Sequence, residues 1–410
     1  MNILFISHYA GSPDMGMVFR PYYFAKEWIK QGHSVTIIAA SFTHIRKRNP
    51  DILEDFQEIS VEGIKYVWIK TPKYRNIFQR VLNIYVFVSK LYFNAKAIAK
   101  RYKPDIVISS STYNFDIYPA IKIAKYAKAK LVYEVRDLWP LTPMELGSYS
   151  KYHPFIMVMQ KAENTAYKKA NFVVSVLPCV HKYMENHGLD LKKLIIVPNG
   201  VVKDDWDREN IKALSNNVLF SFMTQEKKKG KIIIGFAGAH GQANALQYFV
   251  DAAFLLDSKQ FTIILLGDGT DKKDLQIYAK NKIIQNVFFF APISKQEIPS
   301  FLDLCDILYI GLIAKSLFCF GISPNKIMDY MMAAKPIISA ISAGNDPVAE
   351  AQCGITVEPE NPQAIADGIL KLAALSKEER EAMGKRGREY ILKNQTYDIL
   401  AKKFLDFVTE

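Results

Sequence analysis

The alternation of short apolar runs with helical patterns along almost the whole chain is the feature that most constrains its fold. Continuous apolar runs separated by helices are typical of parallel β-sheets that are covered on both faces. A first series of strands is predicted at 3–7, 34–39, 64–69, 105–109, 130–135, 172–176 and 194–197. A second series is predicted at 232–237, 261–266, 287–290, 307–310, 336–340 and 354–357. The chain is therefore predicted to form two doubly wound α/β domains that face each other across a cleft.

The domain boundaries follow from the gap between the two series. The gap is rich in charge and ends in EKKKGK, which is typical of a linker or hinge. We predict a first domain at 1–200, a linker at 201–230, a second domain at 231–392 and a C-terminal helix at 393–410.

The first helix is predicted from an apolar stripe of period 3.6. The stripe contains Val18, Tyr22, Ala25 and Ile29, which share one helical face.

Cysteine and histidine usage bears on redox state and metal binding. Four cysteines are present among 410 residues, and none belongs to a CxxC pair. This pattern argues against a disulfide framework and against a thiolate zinc site, and it fits a reducing cytosol. The seven histidines show no metal-ligand spacing, so no required metal is predicted.

The N-terminal apolar run is too short to span a bilayer and has no basic segment before it, so we interpret it as a first strand and not as a signal peptide. No later run has the length of a transmembrane helix. The formal net charge of +12 favours anionic partners such as nucleotides, nucleic acid or acidic lipid.

The segment GISPNKIMDYMMAAKPII, which begins at Gly321, carries the most informative motif. It follows an apolar run and opens a helix. Ser323 is predicted to cap this helix, and Pro324 suits the first turn because its missing N–H would have no partner there.

Three side chains near this helix start suggest a phosphate site. Asn325 and Lys326 lie where unpaired N–H groups, the helix dipole and the lysine charge attract phosphate. Asp329 follows about one turn later. Such a helix start can hold a diphosphate and a neighbouring sugar hydroxyl, although an ordinary capped helix on a sheet has the same pattern.

Two glycine-containing turns follow strands of the second domain. The first, GFAGAHG, contains Gly238, His240 and Gly241. Glycines let the backbone approach a ligand closely, and a histidine in such a loop can donate to a phosphate oxygen. The second, LGDG, contains Gly267 and Asp268 at the carboxyl end of a strand, where ligands gather in open α/β sheets. Without a ligand, both would be ordinary tight turns.

The first domain offers candidate residues of its own. Arg20, one turn into the first helix, is expected either to reach an anionic group or to be a surface arginine. The motif YEVRDLWP lies at a strand end, so Arg136 and Asp137 are expected to protrude at the cleft. The two residues form either a structural ion pair or a site in which the carboxylate orients or deprotonates an acceptor hydroxyl.

These motifs occur in the order glycine loop, RDLWP, PNGV, GxHG loop, GDG turn and SPNK helix, and in this the chain resembles the retaining GT-B glycosyltransferases of family 4. It is similar to the branch that adds N-acetylated amino sugars, such as N-acetylfucosamine, during bacterial surface-polysaccharide synthesis. The resemblance implies two Rossmann-like domains, with the terminal helix crossing back to the first. It also implies a UDP-sugar donor, either a UDP-N-acetylhexosamine or a deoxy relative, and no cofactor.

The resemblance also implies roles for individual residues. Lys326, His240 and the helix amides would stabilise the charge on the leaving diphosphate, and Asp137 would act in catalysis. Arg20 and Arg136 are expected on the acceptor side. The donor site is expected to contain Gly16, Gly238, Gly241, Gly267, Asp268, Ile293, Gly321, Ile322, Ser323, Asn325 and Asp329.

Two positions depart from the family pattern. Gly321 replaces the first glutamate of the EX7E motif, and Asp329 replaces the second. In the family the second acid holds the ribose, and the first holds hydroxyls of the donor sugar. We expect an altered or water-mediated ribose contact, and backbone N–H groups around Gly321 and Ile322 in place of the missing glutamate.

A basic segment at 63–104 contains ten Lys or Arg residues and no Asp or Glu. The helical stripe predicted to face the core contains Ile77, Val81, Ile84, Val88, Leu91, Ala95 and Ile98. A second stripe contains Phe78, Leu82, Tyr85 and Tyr92, with Arg75, Arg80, Lys90, Lys96 and Arg101 beside it. Aromatic residues beside cations suit an anionic membrane surface, and a buried helix with a solvated basic edge gives the same pattern.

We therefore predict a retaining, metal-independent glycosyltransferase of capsule or O-antigen synthesis. Its acceptor is expected to be a saccharide or a lipid-linked sugar, such as one on undecaprenyl diphosphate. The protein is expected in the cytoplasm, peripheral on the inner face of the membrane, with no nucleic acid as partner. Two alternatives remain open: a UDP-N-acetylglucosamine 2-epimerase of the same fold, and a non-enzymatic basic protein that binds membrane or nucleic acid.

Overall fold

The computed structural model describes residues 1–16 and 19–410, and the chain divides into two compact units. The first unit comprises Met1–Asn199 and Tyr397–Glu410, and the second comprises Gly200–Thr396. Each unit is a Rossmann-like α/β fold with helices packed on a twisted sheet, as the sequence predicts.

The first unit contains an eight-stranded sheet in the order β3-β4-β2-β1-β5-β6-β7-β8. Its central strands are parallel, and every residue from Ile3 to Ile6 is buried, which is why they read as continuous apolar runs. The strands are β1 (Asn2–Ile6), β2 (Ser34–Ala40), β3 (Gln57–Val61), β4 (Ile64–Ile69), β5 (Ile106–Ser109), β6 (Lys130–Val135), β7 (Phe172–Ser175) and β8 (Leu194–Ile196).

The edge strand β3 is absent from the sequence prediction. It pairs antiparallel with β4 across a tight turn in which Glu62 has a φ of 49° and Gly63 a φ of 82°. Positive φ at two successive residues is the geometry of a two-residue hairpin. The strand QEISV is only half-buried and has no continuous apolar run, so its signal in the sequence is weak.

The helices of the first unit cover both faces of its sheet. Tyr22 and Ala25 lie on the buried side of the first helix, and Ile29 is half-buried, whereas Val18 lies outside the described residues. The helices are α1 (Arg20–Lys30), α2 (Ile77–Phe93), α3 (Ala95–Tyr102), α4 (Ile117–Ala127), α5 (Leu141–Gly147), α6 (Pro154–Lys169) and α7 (His181–Asn186).

The segment predicted as a linker, 201–230, belongs to the second unit in the structure. It contains the helix α8 (Asn217–Lys228), whose Leu219 and Met223 are fully buried in the core of that unit. Its Glu226 is buried too and pairs with Lys229 and Lys231, so part of the charge that suggested a linker is used inside the fold. Composition alone hid this packed face.

The second unit has an entirely parallel sheet in the order β11-β10-β9-β12-β13-β14. The order reverses between β9 and β12, and in such doubly wound sheets ligands bind at the carboxyl ends of the strands beside that reversal. The strands are β9 (Ile232–Ala237), β10 (Phe261–Leu266), β11 (Val287–Phe290), β12 (Ile307–Gly311), β13 (Ile337–Ala340) and β14 (Gly354–Thr356). The remaining helices of the unit are α9 (Leu246–Phe254), α10 (Lys272–Asn281), α11 (Ile298–Leu304), α12 (Asn325–Met332), α13 (Pro347–Glu350), α14 (Pro362–Ala374) and α15 (Lys377–Asn394).

The final helix, α16 (Tyr397–Thr409), is part of the first unit and packs on α1. The indole N–H of Trp28 donates to the carbonyl of Ala401 at 3.1 Å, and the ring of Phe404 lies 5.2 Å from that of Trp28. Among the helices that the structure describes, none is both long enough and apolar enough to pass through a lipid bilayer.

Candidate functional site

The start of α12 is suited to a ligand because its N-cap residue is Pro324, whose side chain cannot accept a hydrogen bond from the first turn. Pro324 takes the N-cap position with extended backbone angles (φ −76°, ψ 131°), and the helix begins at Asn325. The prediction that Ser323 caps the helix and that Pro324 lies inside its first turn is therefore wrong by one position. The free N–H groups of the first turn and the positive end of the helix dipole favour an anion at this point.

Lys326 lies in this first turn and is half-buried. Its ammonium donates a hydrogen bond to Oδ1 of Asn244, and it lies 4.5 Å from the centroid of the Phe236 ring. Burial lowers the pKa of Lys326 to about 8. The side chain therefore remains mostly cationic near neutral pH, in a position with little water to screen its charge.

Gly238, in the turn after β9, lies directly against Lys326. A Cβ atom at Gly238 would be 2.8 Å from Cδ of Lys326 and 3.0 Å from its Nζ. The N–H of Ala237 donates to the hydroxyl of Tyr330 at 2.8 Å, which ties the end of β9 to α12. The structure thus brings the predicted glycine loop and the predicted phosphate lysine together.

The turn after β10 packs against the turn after β9. A Cβ atom at Gly267 would lie 1.9 Å from the carbonyl oxygen of Gly238, so only glycine permits this approach. Lys272 fixes the same turn, because its ammonium donates to the carbonyls of Gly267 at 2.7 Å and of Phe290 at 2.9 Å. The sequence prediction missed Asn244 and Lys272, since neither belongs to a recognisable motif.

His240 is fully buried beneath these turns. Its ring lies 6.0 Å from that of Phe236 and 6.1 Å from that of Phe289, and neither ring nitrogen has a hydrogen-bond partner in the part of the chain that the structure describes. Burial, reinforced by the nearby Lys272 cation, lowers the pKa of His240 to about 4. The prediction that this side chain donates directly to a phosphate is inconsistent with such burial.

The other residues expected in the donor site lie at the same edge of the second sheet. Asp268 is exposed, and its Oδ1 accepts a hydrogen bond from the N–H of Gly269 at 2.9 Å. Asn325 is exposed at the helix start, and Gly241 is half-buried in its turn. Ile293, after β11, is half-buried against the core of the unit. No feature of these residues conflicts with the prediction that they line a ligand.

Asp329 is half-buried on α12. Burial raises the pKa of its carboxyl to about 6, with Lys295 lowering that pKa and Asp205 raising it. Asp205 and Lys295 form an ion pair beside it. A partly desolvated carboxylate of this kind gains stability from a hydroxyl that donates to it. Asp205 was not expected here, because the sequence placed it in a linker.

The backbone N–H groups expected to replace the missing glutamate are already paired within the protein. The N–H of Gly321 donates to the carbonyl of Phe318 at 2.9 Å, and that of Ile322 donates to Oδ1 of Asn345 at 2.7 Å. The side-chain amide of Asn345 returns a hydrogen bond to the carbonyl of Ile322 at 3.1 Å. The prediction that these two amides bind the donor sugar is therefore wrong, because folding uses them to hold the loop before α12.

Arg20 is neither a surface arginine nor an anion-binding group. It is buried and its Nε donates to Oε1 of Glu134 at 3.0 Å. Its other nitrogens donate to the carbonyls of Pro198 at 2.6 Å and Val197 at 2.7 Å. The predicted role in acceptor binding is wrong, since the guanidinium is used to join α1, β6 and residues 197–199 of the first unit.

Arg136 and Asp137 do not form the ion pair that the sequence left open. Oδ1 of Asp137 accepts hydrogen bonds from the N–H of Leu138 at 2.9 Å and the hydroxyl of Thr142 at 2.8 Å. Burial raises the pKa of the Asp137 carboxyl. Arg136 is half-buried, and among the described residues no hydrogen bond or ion pair engages its guanidinium. Burial lowers the pKa of Arg136, so a bound anion would stabilise its charged form.

Gly16 has a clear structural role. Its φ of 70° is left-handed, its N–H donates to the carbonyl of Pro13 at 3.2 Å, and a Cβ atom there would lie 3.0 Å from Cγ of Lys47. Its expected contact with a donor stays a prediction.

A buried polar cluster follows β1 in the first unit and was not expected from the sequence. Nδ1 of His8 lies 2.6 Å from the hydroxyl of Tyr113, and Nε2 has no partner within the described ranges. Burial, with the Arg46 cation, lowers the pKa of His8 to about 3. The cluster lies beside the β1–β5 reversal of the first sheet, where a second ligand would bind in a doubly wound fold.

Within residues 1–16 and 19–410, no group of three or more His, Cys, Asp or Glu side chains is placed to hold a metal ion.

Two protein-family models match this chain. The model described as "Glycosyltransferase Family 4" matches residues 16–205, and the one described as "Glycosyl transferases group 1" matches residues 231–374. The first therefore covers most of the first unit, and the second covers the region that contains α12 and both glycine turns.

Among curated proteins, the chain is similar to the "Putative colanic acid biosynthesis glycosyl transferase WcaI" of Escherichia coli K12. The two are 22% identical over 398 residues, which is 93% of each chain.

Solved structures show the same fold over the whole length. Sucrose-phosphate synthase from Thermosynechococcus elongatus superposes with a TM-score of 0.73 at 12% identity, over 99% of this chain and 98% of that one. HepE from Anabaena, in complex with UDP and glucose, superposes with a TM-score of 0.66 at 14% identity, over 100% of both chains.

Proposed function

We propose that this chain, a glycosyltransferase of the GT-B, group 1 and family 4 type, moves a sugar from a UDP-sugar to a saccharide or lipid-linked acceptor in surface-polysaccharide synthesis. The donor proposal depends mainly on the position of Lys326 against Gly238 at the start of α12. A half-buried ammonium, helix N–H groups and a glycine turn at one point form a site suited to a diphosphate.

UDP is the proposed nucleotide for two reasons. Ile293 and the turn that contains Asp268 lie at the same edge of the sheet, where a base and ribose attached to that diphosphate would extend. The structurally similar HepE was solved with UDP and glucose. The sugar is proposed to be an N-acetylhexosamine or a deoxy relative, on the strength of the motif order in the sequence.

The reaction breaks the bond between the anomeric carbon and the diphosphate oxygen and forms a bond to an acceptor hydroxyl. Lys326 and the first N–H groups of α12 stabilise the negative charge that develops on the departing diphosphate. The hydroxyl attacks from the same side, so the configuration is retained, and its proton passes to the departing phosphate oxygen. No metal is required in this scheme.

Asp329 is proposed to accept hydrogen bonds from the ribose. Its partly desolvated carboxylate gains from hydroxyl donors, and its short side chain leaves room for a water in the contact.

Arg136 and Asp137 are proposed to serve the acceptor. Arg136 presents a half-buried guanidinium that no described side chain engages, which suits an anionic group such as the diphosphate of a lipid carrier. Asp137 is held by Leu138 and Thr142, so its carboxylate is oriented to position an acceptor hydroxyl. The acceptor is proposed to be linked to undecaprenyl diphosphate, and the enzyme to work in the cytoplasm at the inner face of the membrane.

Nucleotide binding tests the donor proposal. Calorimetry with UDP, ADP, GDP and CDP should show UDP binding most tightly to the wild type, and Lys326→Ala should weaken it at least about tenfold. Lys335→Ala is the matched control, because Lys335 is also a half-buried lysine of the second unit but precedes β13 at the opposite edge of the sheet. Equal UDP affinity in both variants, or a preference for another nucleotide, would overturn the proposal.

A transfer assay tests the reaction. UDP-N-acetylglucosamine and related donors are incubated with an undecaprenyl-diphosphate sugar, with and without EDTA, and the product anomer is assigned by NMR. Retention with full activity in EDTA is expected. An inverted product or loss of activity in EDTA would contradict the scheme. Conversion of the donor without an acceptor would instead indicate the epimerase alternative, which the two glycosyltransferase models disfavour.

A further inference from the structure

The helix α2 is apolar on the side that faces away from the protein. Its buried residues are Asn83, Phe87 and Leu91, which are spaced four apart and form a single narrow stripe. The opposite side holds large side chains in water: Phe78 is 83% exposed, Tyr85 67% and Leu82 52%. The solvent face of a helix in a soluble protein normally carries charged and polar residues.

The sequence placed the core-facing stripe differently. Leu91, Ala95 and Ile98 are buried as predicted, but Ile77 and Val81 at the start of α2 are exposed. The start of the helix therefore adds two more apolar side chains to the outer side. Phe93 extends the apolar surface at the other end, where it is 78% exposed.

The charged residues near this face in the sequence are cationic, and one of them, Lys90, is paired with Asp55 at 2.6 Å. The charged residues of α2 itself are Arg80 and Lys90, and the whole segment 63–104 contains no acidic residue. Exposed cations flank both ends of the helix: Lys73, Arg75, Lys96 and Lys100. An apolar face with a cationic rim is complementary to an anionic lipid surface, into which aromatic and aliphatic groups insert while lysines and arginines meet the head groups.

The start of α2 lies near the carboxyl ends of β4 and β1 in the first sheet. The helix starts shortly after the carboxyl end of β4, and Arg80 donates to the hydroxyl of Tyr9, just after β1, at 3.4 Å. The first turns of α2 therefore lie at the carboxyl edge of the first sheet. A surface that binds α2 would also lie close to the residues at that edge.

We propose that the outer face of α2, formed by Ile77, Phe78, Val81, Leu82, Tyr85, Tyr92 and Phe93, docks the enzyme on an anionic membrane. The inference deepens the proposed function by naming the surface that meets the lipid, and it rests on that function only for the lipid-linked acceptor. Docking on α2 would hold the carboxyl edge of the first sheet at the head groups, where a lipid-linked diphosphate is presented.

Vesicle flotation tests this surface. The full chain is mixed with vesicles of phosphatidylcholine, with or without phosphatidylglycerol, in the absence of donor and acceptor. The wild type is expected to float with the anionic vesicles and to be released by salt. The triple variant Phe78→Ser/Leu82→Ser/Tyr85→Ser should bind at least about tenfold more weakly. Lys73→Gln and Arg75→Gln should each weaken binding roughly fivefold.

The matched control removes exposed apolar side chains elsewhere. Phe254→Ser/Ile277→Ser alters residues that are 64% and 59% exposed in the second unit, and it should float like the wild type. Because the altered residues of α2 are exposed, the triple variant should fold, and the single variants Phe78→Ser and Tyr85→Ser give a graded series if it does not. UDP calorimetry on the same samples separates this inference from the donor proposal.

Three results would overturn the inference. The wild type could fail to bind anionic vesicles, or the triple variant could bind them as the wild type does. Alternatively, light scattering could show that the wild type is a dimer that the triple variant converts to a monomer, with vesicle binding unchanged. That last outcome would assign the face of α2 to a second copy of the chain.

Discussion

Lys326 and Asn244 are joined by a hydrogen bond from the lysine ammonium to the side-chain oxygen of Asn244, across 82 positions of sequence. Asn244 is itself fixed, because its amide donates to the carbonyl of Ala239 at 2.9 Å. The pair connects the first turn of α12 to the loop after β9. It holds a half-buried positive charge at the place where the proposed diphosphate leaves.

The charge on Lys326 should cost stability in the free enzyme. Its pKa in the folded protein is about 8, below the ordinary 10.5. The free energy of unfolding should therefore rise as the pH rises from 8 toward 10.5. Below pH 8 the buried charge lowers it by the full amount. Lys326→Met should therefore raise the free energy of unfolding at pH 7 by about 1 kcal/mol, while lowering turnover at least about a hundredfold. Urea unfolding and the transfer assay measure the two effects. A clear loss of stability, or near-normal turnover, would contradict this role.

Donor binding should depend on the ionisation of Asp329. Its pKa is about 6 in the free protein, above the ordinary 3.8, and only the ionised carboxylate accepts hydrogen bonds from both ribose hydroxyls. The affinity for UDP-N-acetylglucosamine, whose phosphates do not titrate near pH 6, should therefore fall as the pH drops below about 6, approaching tenfold per unit. Calorimetry across this range measures the slope. Asp329→Asn should bind more weakly with no such slope, and a slope that survives in this variant would assign the titration to another group.

The glycines of the two turns should respond differently to alanine. At Gly238 the new Cβ meets the flexible end of Lys326, so Gly238→Ala should displace the ammonium and weaken UDP binding about tenfold, with less than about 1.5 kcal/mol lost in stability. At Gly267 it meets the backbone of Gly238 at 1.9 Å, so Gly267→Ala should cost about 2–4 kcal/mol.

Gly230→Ala is the control for these backbone effects. Gly230 has a φ of 76° with nothing near its Cβ position, so alanine there should cost about 1 kcal/mol and leave UDP binding unchanged. If alanine at Gly230 and alanine at Gly267 were equally destabilising, the contact between the two turns would not be the reason that Gly267 is a glycine.

Substitutions of Arg20 and Arg136 should have different effects, the first on stability and the second on activity. Arg20→Met leaves Glu134 buried without its cation and should lower the free energy of unfolding by about 3–5 kcal/mol. Arg136→Met removes a guanidinium that engages no described side chain, so it should cost less than about 1 kcal/mol but reduce kcat/KM with a lipid-linked acceptor about tenfold.

Tryptophan fluorescence in urea measures the stability of this unit, because three of the four tryptophans, Trp28, Trp68 and Trp139, lie in it. If Arg136→Met lowered the free energy of unfolding more than Arg20→Met, the structural role assigned to Arg20 would be contradicted. An unchanged kcat/KM in Arg136→Met would remove that residue from the acceptor site.

Local patterns in the sequence determined most of the architecture. The buried strands of both sheets were predicted because continuous apolar runs are a property of neighbouring residues, and the strands from Lys130, Ile232 and Phe261 begin where predicted. The glycine turns and the lysine at the helix start were found in the same way. The edge strand β3 was missed because a half-buried segment leaves little apolar signal. The helix α8 was missed because the charged residues at its end and around it suggested a linker.

Tertiary structure alone decided which of the candidate residues remain available to a ligand. Arg20 is paired with Glu134, which lies 114 positions away, and the N–H of Ile322 donates to Asn345. His240 is buried under the turns that it was expected to serve. Burial and hydrogen-bond pairing depend on residues that are distant in the chain, so a motif shows which chemistry is present but not whether folding has already used it. For the same reason, only the structure showed that the apolar side of α2 faces water.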